Sequence, residues 1–433
     1  MQLERGRWCH HVPVAAARGS AAIVVATICS LPLGLAAGAT ASPVGTAQTW
    51  KLQNIPSPED NSVLDGVSCP TATRCVAVGY EYQQEGGIPK ELVETWSPQG
   101  WSTTPVPQPP RYRLGTYLTS VSCASAESCV AVGTTGSAEV GDEYPFSLVR
   151  AAGSWRVVTT ATVLAGPSGG DVDLVSVSCA TRDNCDAVGS FTPNGGGTTG
   201  TLAESWDGTA WSLVKTAAFP HGGRFTSISC LPQTVPALCD AVGARGTRSG
   251  LAPLDELANA TTYTPVTVPV VRGAQSAFLT SVSCPGPNSC LAVGAVEVPT
   301  DFKYLSFTEV ENGGVSPYPW ALVSDAAPGR LGRYFDASSV SCPLVIAQCA
   351  AVGVAATTTP EAQAEMLNAP SADLDAPFPS VKWQVSPLRW SSPGGAPSPS
   401  IFAAVSCSGP TACTAVGNFQ AEGIGLQVIA ARL

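Results

Sequence analysis

Small polar and β-branched apolar residues alternate in one short phrase that recurs seven times along the chain. In its second copy, residues 120–133, the phrase reads SVSC, five further residues, and then CVAVG. Alternation with a period of two predicts β-strands, and two such runs separated by a short polar segment predict a hairpin. Successive copies begin 51 to 65 residues apart. A repeat of this length, punctuated by Gly and Pro, predicts a radial array of similar β-units.

Each repeat contains four predicted strands. In the third repeat they are strand A (Leu174 to Cys179), strand B (Asp186 to Phe191), strand C (Thr201 to Trp206) and strand D (Trp211 to Thr216), with Asp207-Gly208 as the turn between C and D. Blades that converge on an axis need small inner residues and large outer ones, and the outer strands carry Trp96, Trp101, Trp155, Trp206, Trp211 and Trp383. We therefore predict that these tryptophan side chains fill the wide gaps between the outer strands at the rim. The alternative is that they form a platform on which sugars stack.

We predict an all-β fold: a seven-bladed β-propeller of four-stranded antiparallel blades. The last repeat stops after its strand C, Gly425 to Arg432, and the missing strand D matches Trp50 to Pro56 at the other end. Pairing of these two segments would close the ring and remove exposed sheet edges. Because repeats four to six are degenerate, six blades plus a stray repeat is the alternative.

The first 41 residues have the pattern of a secretory signal peptide. Three arginines precede an apolar run from Ala21 to Ala37, which is followed by the small-x-small sequence Ala39-Thr40-Ala41. We expect cleavage there, a propeller domain over residues 42–433, no stable membrane insertion, and a secreted, extracellular or cell-envelope location. A retained membrane helix is the alternative, although the run is short and contains Pro32.

All 14 cysteines beyond residue 41 fall in the repeated phrase, two in each copy. In an exported chain this even count predicts one disulfide per blade. The predicted pairs are Cys69–Cys75, Cys123–Cys129, Cys179–Cys185, Cys230–Cys239, Cys284–Cys290, Cys342–Cys349 and Cys407–Cys413. Zinc is disfavoured because the usual spacing is two to four residues and histidine partners are missing. We expect no metal site and no cofactor.

The charge of the chain disfavours anionic partners. Its net charge is −10 and only 12% of its residues are charged, about half the usual share. Such a surface does not attract nucleic acid. We expect a monomer whose partner is an extracellular glycan, a wall polymer or a protein.

The residues SVSC…CxAVG, followed by LAESWDGTAWS at residues 202–212, resemble the repeats of secreted actinobacterial β-propeller proteins. The Trp206-Asp207-Gly208 turn is also similar to the Asp-box of sialidase-like BNR repeats, but it lacks the residue between Asp and Gly. The resemblance implies a propeller and no particular activity, because propellers host enzymes and scaffolds alike.

A single active site requires groups that are not repeated in every blade. By this criterion the strand C glutamates, Glu94, Glu204, Glu256, Glu309 and Glu365, are interpreted as structural. A Ser-His-Asp triad would have to use His221, and no nucleophile-elbow motif surrounds any serine. Asp171-x-Asp173 and Asp373-x-Asp375 lack the rest of a calcium loop. We predict no catalytic residue.

The loops that join D to A and B to C vary most between repeats, so we place the ligand on that face. The candidate ligand-binding residues are Tyr80, Tyr82, Arg113, Tyr117, His221, Arg224, Arg333 and Tyr334, with anionic or hydroxyl-rich groups meeting the arginines. The function we favour from sequence is a secreted, non-catalytic binding or scaffold module. The alternative is a sialidase-like glycoside hydrolase or a polysaccharide lyase on the same scaffold.

Overall fold

The computed structural model describes residues 49–433, apart from segments 57–60, 83–86, 110–114, 137–142, 162–169, 195–196, 260, 270–272, 288, 299–302, 312–319, 324–334, 345–347, 356–360, 368–382, 388–399 and 422–424. Its strands are, in chain order, β1 (Lys51–Gln53), β2 (Asn61–Thr71), β3 (Arg74–Tyr82), β4 (Pro89–Ser97), β5 (Gly100–Thr103), β6 (Thr116–Ser125), β7 (Ser128–Gly136), β8 (Glu143–Ala151), β9 (Ser154–Val158), β10 (Gly170–Thr181), β11 (Asn184–Pro193), β12 (Gly200–Trp206), β13 (Trp211–Val214), β14 (Gly223–Cys230), β15 (Cys239–Gly246), β16 (Leu251–Ala258), β17 (Tyr263–Pro265), β18 (Ser276–Gly286), β19 (Ser289–Val298), β20 (Lys303–Glu311), β21 (Trp320–Val323), β22 (Phe335–Ser341), β23 (Ala350–Ala355), β24 (Glu361–Leu367), β25 (Trp383–Pro387), β26 (Ser400–Gly409), β27 (Ala412–Ala421) and β28 (Gly425–Arg432). All belong to the unit Gln48–Leu433, and the other unit, Met1–Ala47, lies outside the described residues. The described residues include no helix that is long and apolar enough to cross a membrane.

Over the described residues, the strands form seven four-stranded antiparallel sheets. Sheets 1 to 6 each contain four consecutive strands, which we call A to D: β2–β5, β6–β9, β10–β13, β14–β17, β18–β21 and β22–β25. Sheet 7 contains β26, β27 and β28, and its fourth strand is β1 from the other end of the chain. Lys51 pairs with Arg432, and Gln53 pairs with Ala430. The predicted exchange of an N-terminal strand is confirmed.

One bulge recurs at the same place in strand A of every sheet. In sheet 2 the register shifts between Leu118 and Ser120, so that Thr119 is the extra residue. Gly133, the glycine that ends the repeated phrase, lies opposite the bulge. A Cβ atom on Gly133 would lie 2.0 Å from the Tyr117 carbonyl oxygen. Only glycine allows the two strands to approach this closely, which explains why the phrase ends in glycine in all seven copies.

Serine side chains of the phrase link each strand A to strand A of the next sheet. The Oγ of the second serine accepts the N–H of the next sheet's first phrase cysteine, at donor–acceptor distances of 2.9–3.0 Å. The acceptors are Ser68, Ser122, Ser178, Ser229, Ser283, Ser341 and Ser406. The bond from Cys69 N–H to Ser406 joins sheet 1 to sheet 7. These serines are structural, as the sequence predicts.

Apolar clusters fill the spaces between successive sheets, and outer aromatic side chains complete them. Trp206 and Trp211 are 1% and 7% exposed. The Trp211 Nε1–H donates to Ser147 Oγ of the preceding sheet at 2.9 Å, and the Tyr263 hydroxyl, at the corresponding place in sheet 4, donates to Asp186 at 2.6 Å. These aromatic residues are core residues, so a sugar platform at the rim is wrong for them.

All seven predicted disulfides are present, each within one sheet. Each joins the end of strand A to the start of strand B, with Cα atoms 3.9–4.1 Å apart. In sheet 3, Cys179 and Cys185 are directly paired across the two strands. The bridges therefore close local hairpins, and no disulfide in the described residues joins two sheets.

The three strand C glutamates whose side chains are described each accept a hydrogen bond, as expected of repeated structural groups. Glu204 accepts the Ala161 N–H at 2.8 Å and Glu256 accepts the Ala217 N–H at 3.1 Å, so each binds the loop that follows strand D of the preceding sheet. Glu94 instead accepts the Thr103 hydroxyl at 2.7 Å. Burial raises the pKa of Glu204 to about 8 and the pKa values of Glu94 and Glu256 to about 7. The side chains of Glu309 and Glu365 lie outside the described part of the chain.

We predict that removing the Trp50 side chain destabilises the protein far more than a change at its neighbour. Trp50 is 6% exposed and packs in one cluster with Phe402 and Ile429 of sheet 7. Trp50→Ala should lower the free energy of unfolding by about 3–5 kcal/mol, and Lys51→Ala, on an exposed side chain, by less than about 0.5 kcal/mol. Chemical denaturation measures both. Equal effects would contradict the packing of β1 onto sheet 7.

We also predict that stability falls as the pH rises from about 4.5 towards 8. In this window the folded protein retains protons on Glu94, Glu204 and Glu256, whereas the unfolded chain has released them, so raising the pH favours unfolding. Each such group adds a slope on the order of 1.4 kcal/mol per pH unit while it is protonated only in the folded state.

Glu204→Gln keeps an acceptor for Ala161 and removes the titration, so the slope of unfolding free energy between pH 5 and 7 should become shallower by roughly that amount. Denaturation at a series of pH values tests this, with the exposed Glu127→Gln as the control that leaves the slope unchanged. An unchanged slope in Glu204→Gln would show that this glutamate is ionised in the folded protein.

Candidate functional site

Asp65 is an acid that no other sheet carries at the same position. It is the extra residue of the strand A bulge in sheet 1, between Leu64 and Gly66. The bulge residues of sheets 2 to 7 are, in order, Thr119, Val175, Thr226, Thr280, Ser338 and Ala403. The repeat does not require an acid at this position. Asp65 therefore meets the criterion that a single active site needs groups that are not repeated in every blade.

The threonines at the bulge show what surrounds this position. The Thr119 hydroxyl lies 2.8 Å from the Leu174 carbonyl oxygen of the next sheet and 3.2 Å from the Val132 carbonyl oxygen of its own sheet. Thr226 and Thr280 make the same two contacts. Carbonyl oxygens repel a carboxylate but accept a bond from a protonated carboxyl group. Burial raises the pKa of Asp65 to about 7, so a substantial fraction of Asp65 is still protonated near neutral pH.

Three tyrosines form a cluster near this acid. The Tyr80 ring lies edge-on to Tyr117 of sheet 2, with centroids 4.9 Å apart, and to Tyr82, with centroids 5.7 Å apart. Burial, and then the charges of Asp65 and Tyr82, raises the pKa of Tyr80 to about 12, which keeps its hydroxyl protonated. Tyr80 pairs with Val63, two residues before Asp65 on strand A. The cluster lies where strand B ends and the next strand A begins, on the predicted ligand face.

Glu91 is a second unrepeated acid at the same boundary. It pairs directly with Tyr80 across strands B and C. It is 8% exposed, its Oε2 accepts the hydroxyl of Thr116 from sheet 2, and its Oε1 has no partner in the described part of the chain. The corresponding residues of sheets 2 to 7 are, in order, Pro145, Thr201, Pro253, Ser306, Ala362 and Val428. We call Asp65, Tyr80, Tyr82, Glu91 and Tyr117 the boundary site.

The structure gathers only some of the sequence-predicted ligand residues. Tyr80, Tyr82 and Tyr117 lie in the boundary site. His221 and Arg224 are exposed at the start of strand A in sheet 4, and no contact among the described residues joins them to the tyrosines. Arg113, Arg333 and Tyr334 lie outside the described residues.

Sequence reasoning missed Asp65 and Glu91, although each could have been found by aligning the seven repeats. Asp65 directly precedes the first phrase, and Glu91 lies three residues before Glu94. The signal is that neither acid recurs at its position in the other repeats.

A group of potential metal ligands lies between sheets 4 and 5. Asp240 Oδ2 is 3.4 Å from the sulfur atoms of both Cys284 and Cys290. These two sulfurs are bonded to each other, so they supply no thiolate for a metal. In the described part of the chain this is the only such group, and its chemistry does not fit a metal centre.

Comparisons with known proteins give structural neighbours only. No protein-family profile matches the chain, and no curated protein is similar to it in sequence. A GH93 α-L-arabinofuranosidase of Fusarium graminearum, solved with arabinobiose, is 9% identical, with 88% of this chain and 96% of that chain covered and a TM-score of 0.47. An α-L-arabinanase of Penicillium chrysogenum, also solved with arabinobiose, is 11% identical, with 70% and 89% covered and a TM-score of 0.40.

A GH43 endo-arabinanase of Bacillus licheniformis is 10% identical, with 62% of this chain and 100% of that chain covered and a TM-score of 0.32. At such identities we transfer neither a residue role nor a substrate. These neighbours are glycoside hydrolases, whereas the function favoured from sequence is a non-catalytic binding or scaffold module. The physical premise of that preference, the absence of an unrepeated acid, was wrong, since Asp65 and Glu91 are two such acids. The function favoured from sequence is corrected accordingly.

Proposed function

We propose that this protein is a glycoside hydrolase in which Asp65 of the boundary site is the general acid. The observation that carries the proposal is the place of Asp65, an unrepeated carboxyl group at the strand A bulge, where the Thr119 hydroxyl of sheet 2 donates to carbonyl oxygens of two sheets; burial raises the pKa of Asp65 to about 7. Enzymes that cleave glycosidic bonds need a carboxylic acid that is still protonated at working pH, and burial is the usual way to obtain one.

Asp65 supplies the proton that the leaving group requires. As the bond between the anomeric carbon and the glycosidic oxygen breaks, its electron pair passes to the oxygen, which takes the proton of Asp65. Water then adds to the anomeric carbon, and its proton restores the acid or passes to solvent. The tyrosine rings offer apolar faces with protonated hydroxyls at their edges, a combination that suits a polyhydroxylated glycan.

The same proposal includes a closed ring of seven blades. Two contacts between the ends of the chain support closure: β1 completes sheet 7, and the Cys69 N–H donates to Ser406 at 2.9 Å. In a closed ring the D–A and B–C loops of all seven blades surround one opening. We propose that His221, Arg224, Arg113, Arg333 and Tyr334 belong to the rim of that opening and extend glycan binding beyond the boundary site.

We further propose that residues 1–41 are a signal peptide and that residues 42–433 are the exported enzyme. The seven disulfides support this location, because such bridges form and persist in oxidising compartments. An exported hydrolase would meet extracellular or cell-envelope glycans as its substrates.

Replacement of Asp65 tests the function. The purified chain is incubated with neutral and anionic polysaccharides, including arabinan and xyloglucan, and released reducing sugar is measured. Asp65→Asn removes the proton donor and should reduce kcat/KM by about 10²- to 10⁴-fold. The wild-type kcat/KM should fall as the pH rises above about 7, because Asp65 then loses its proton.

Asp65→Thr is the matched control for a structural role. It installs the residue that sheets 2, 4 and 5 carry at this position, so the melting temperature should be kept or raised while turnover is lost. If Asp65→Thr retains wild-type turnover, Asp65 merely occupies a threonine site and the proposed function fails.

A further inference from the structure

We propose that Glu91 is the second carboxylate of this reaction and that Thr116 of the neighbouring sheet is its positioning residue. The inference rests on the proposed function and adds the group that stabilises the positive charge at the anomeric carbon. The transition state of glycoside hydrolysis resembles an oxocarbenium ion, and a carboxylate on the far side from the acid is the usual partner.

The position of Glu91 distinguishes it from the structural glutamates. The strand C glutamates occupy a position that recurs along the chain, whereas the position of Glu91 carries no acid in any other sheet. Like Glu94, Glu91 accepts a bond from one side-chain hydroxyl. Its second oxygen is buried and has no partner in the described part of the chain, as is one oxygen each of Glu94, Glu204 and Glu256. What sets Glu91 apart is therefore its unrepeated position beside Tyr80.

Thr116 is fixed by its own surroundings, so it can hold Glu91 in one orientation. The preceding residue, Gly115, has a φ of +109°, and a Cβ there would lie 2.4 Å from Pro89. The Gly115 carbonyl accepts the Thr135 hydroxyl at 3.0 Å. Glycine alone tolerates both the backbone conformation and the close approach. The segment just before β6 therefore lies in close contact with the start of β4, the strand that carries Glu91.

Burial suits the role that we assign to Glu91. A negative charge in a water-poor site acts on a developing positive charge more strongly than an exposed one, and a fixed side chain needs no reorganisation during the reaction. Its direct pairing with Tyr80 puts it on the strand next to the one that carries this tyrosine. Tyr80 on strand B therefore lies between strand A, which carries Asp65, and strand C, which carries Glu91.

The test combines substitution with chemical rescue, using the polysaccharide that the wild-type protein cleaves. Glu91→Gln keeps an acceptor for Thr116 and removes the charge, so kcat should fall by about 10²- to 10³-fold with little change in KM. Glu91→Gly should be inactive alone and regain turnover with sodium formate, which returns a carboxylate to the gap, but not with sodium chloride. Thr116→Val should lower kcat, and Thr116→Ser should restore it.

The matched control is Glu81→Gln, on the adjacent strand, whose carboxylate is paired with Lys90 at 3.0 Å; it should keep the wild-type kcat. If Glu91→Gln retains half or more of kcat, or if Glu91→Gly stays folded and formate restores nothing, the inference is overturned while the role of Asp65 stands. If the wild-type protein cleaves no member of the panel, or Asp65→Thr remains active, the proposed function fails and this inference with it.

Discussion

The hydrogen bond from a backbone N–H to a serine Oγ of the preceding strand A is the interaction on which the arrangement of sheets depends. Each strand A is hydrogen-bonded to strand B on one side only, so its other edge is exposed to its neighbours. The serine Oγ accepts a hydrogen bond from the N–H at that edge, and this bond also fixes the distance between the two sheets. Small side chains are needed because the strands approach one another closely here, and serine is among the few that are both small and able to accept a bond. Repetition of this contact explains why the phrase tolerates so little variation.

Because the same contacts recur in every sheet, residues that depart from the repeat are easy to identify. At the boundary between sheets 1 and 2, the first serine of the phrase is replaced by Gly66, whose Cβ position would lie 3.0 Å from the Ser120 Cα. The same boundary carries Asp65 in place of a bulge threonine or other neutral residue, and Glu91 in place of a neutral residue. Three departures from the repeat and three tyrosines thus fall at one boundary. The function that we propose depends on these local departures from a repeated scaffold.

The fold was predictable from the sequence because its determinants are local and repeated. The cysteine pairs follow from spacing, the four strands from alternation and turn residues, and the exchanged strand from the match of Trp50–Pro56 to Trp211. The site was predictable only in part. Tyr80, Tyr82 and Tyr117 stood out as aromatic residues in variable positions, but Asp65 depends on a bulge that places an extra residue against carbonyl groups. No pattern of hydrophobic and polar residues reveals that environment, since it arises from the register between strands A and B. The environment of Glu91 was not predictable either, because it depends on a contact with Thr116 from a neighbouring sheet.

The pairing of β1 with β28 has a consequence for the order in which the chain can complete its fold. In a chain that emerges from its N-terminus, Lys51–Gln53 appears long before its partner Gly425–Arg432. Six sheets can assemble as their repeats emerge, and their disulfides can form at once, because each bridge spans only 6 to 9 residues of sequence. The seventh sheet must wait for the final strand. Lys51–Gln53 thus remains without its partner until Gly425–Arg432 has emerged, so the seventh sheet is the last of the seven that can form.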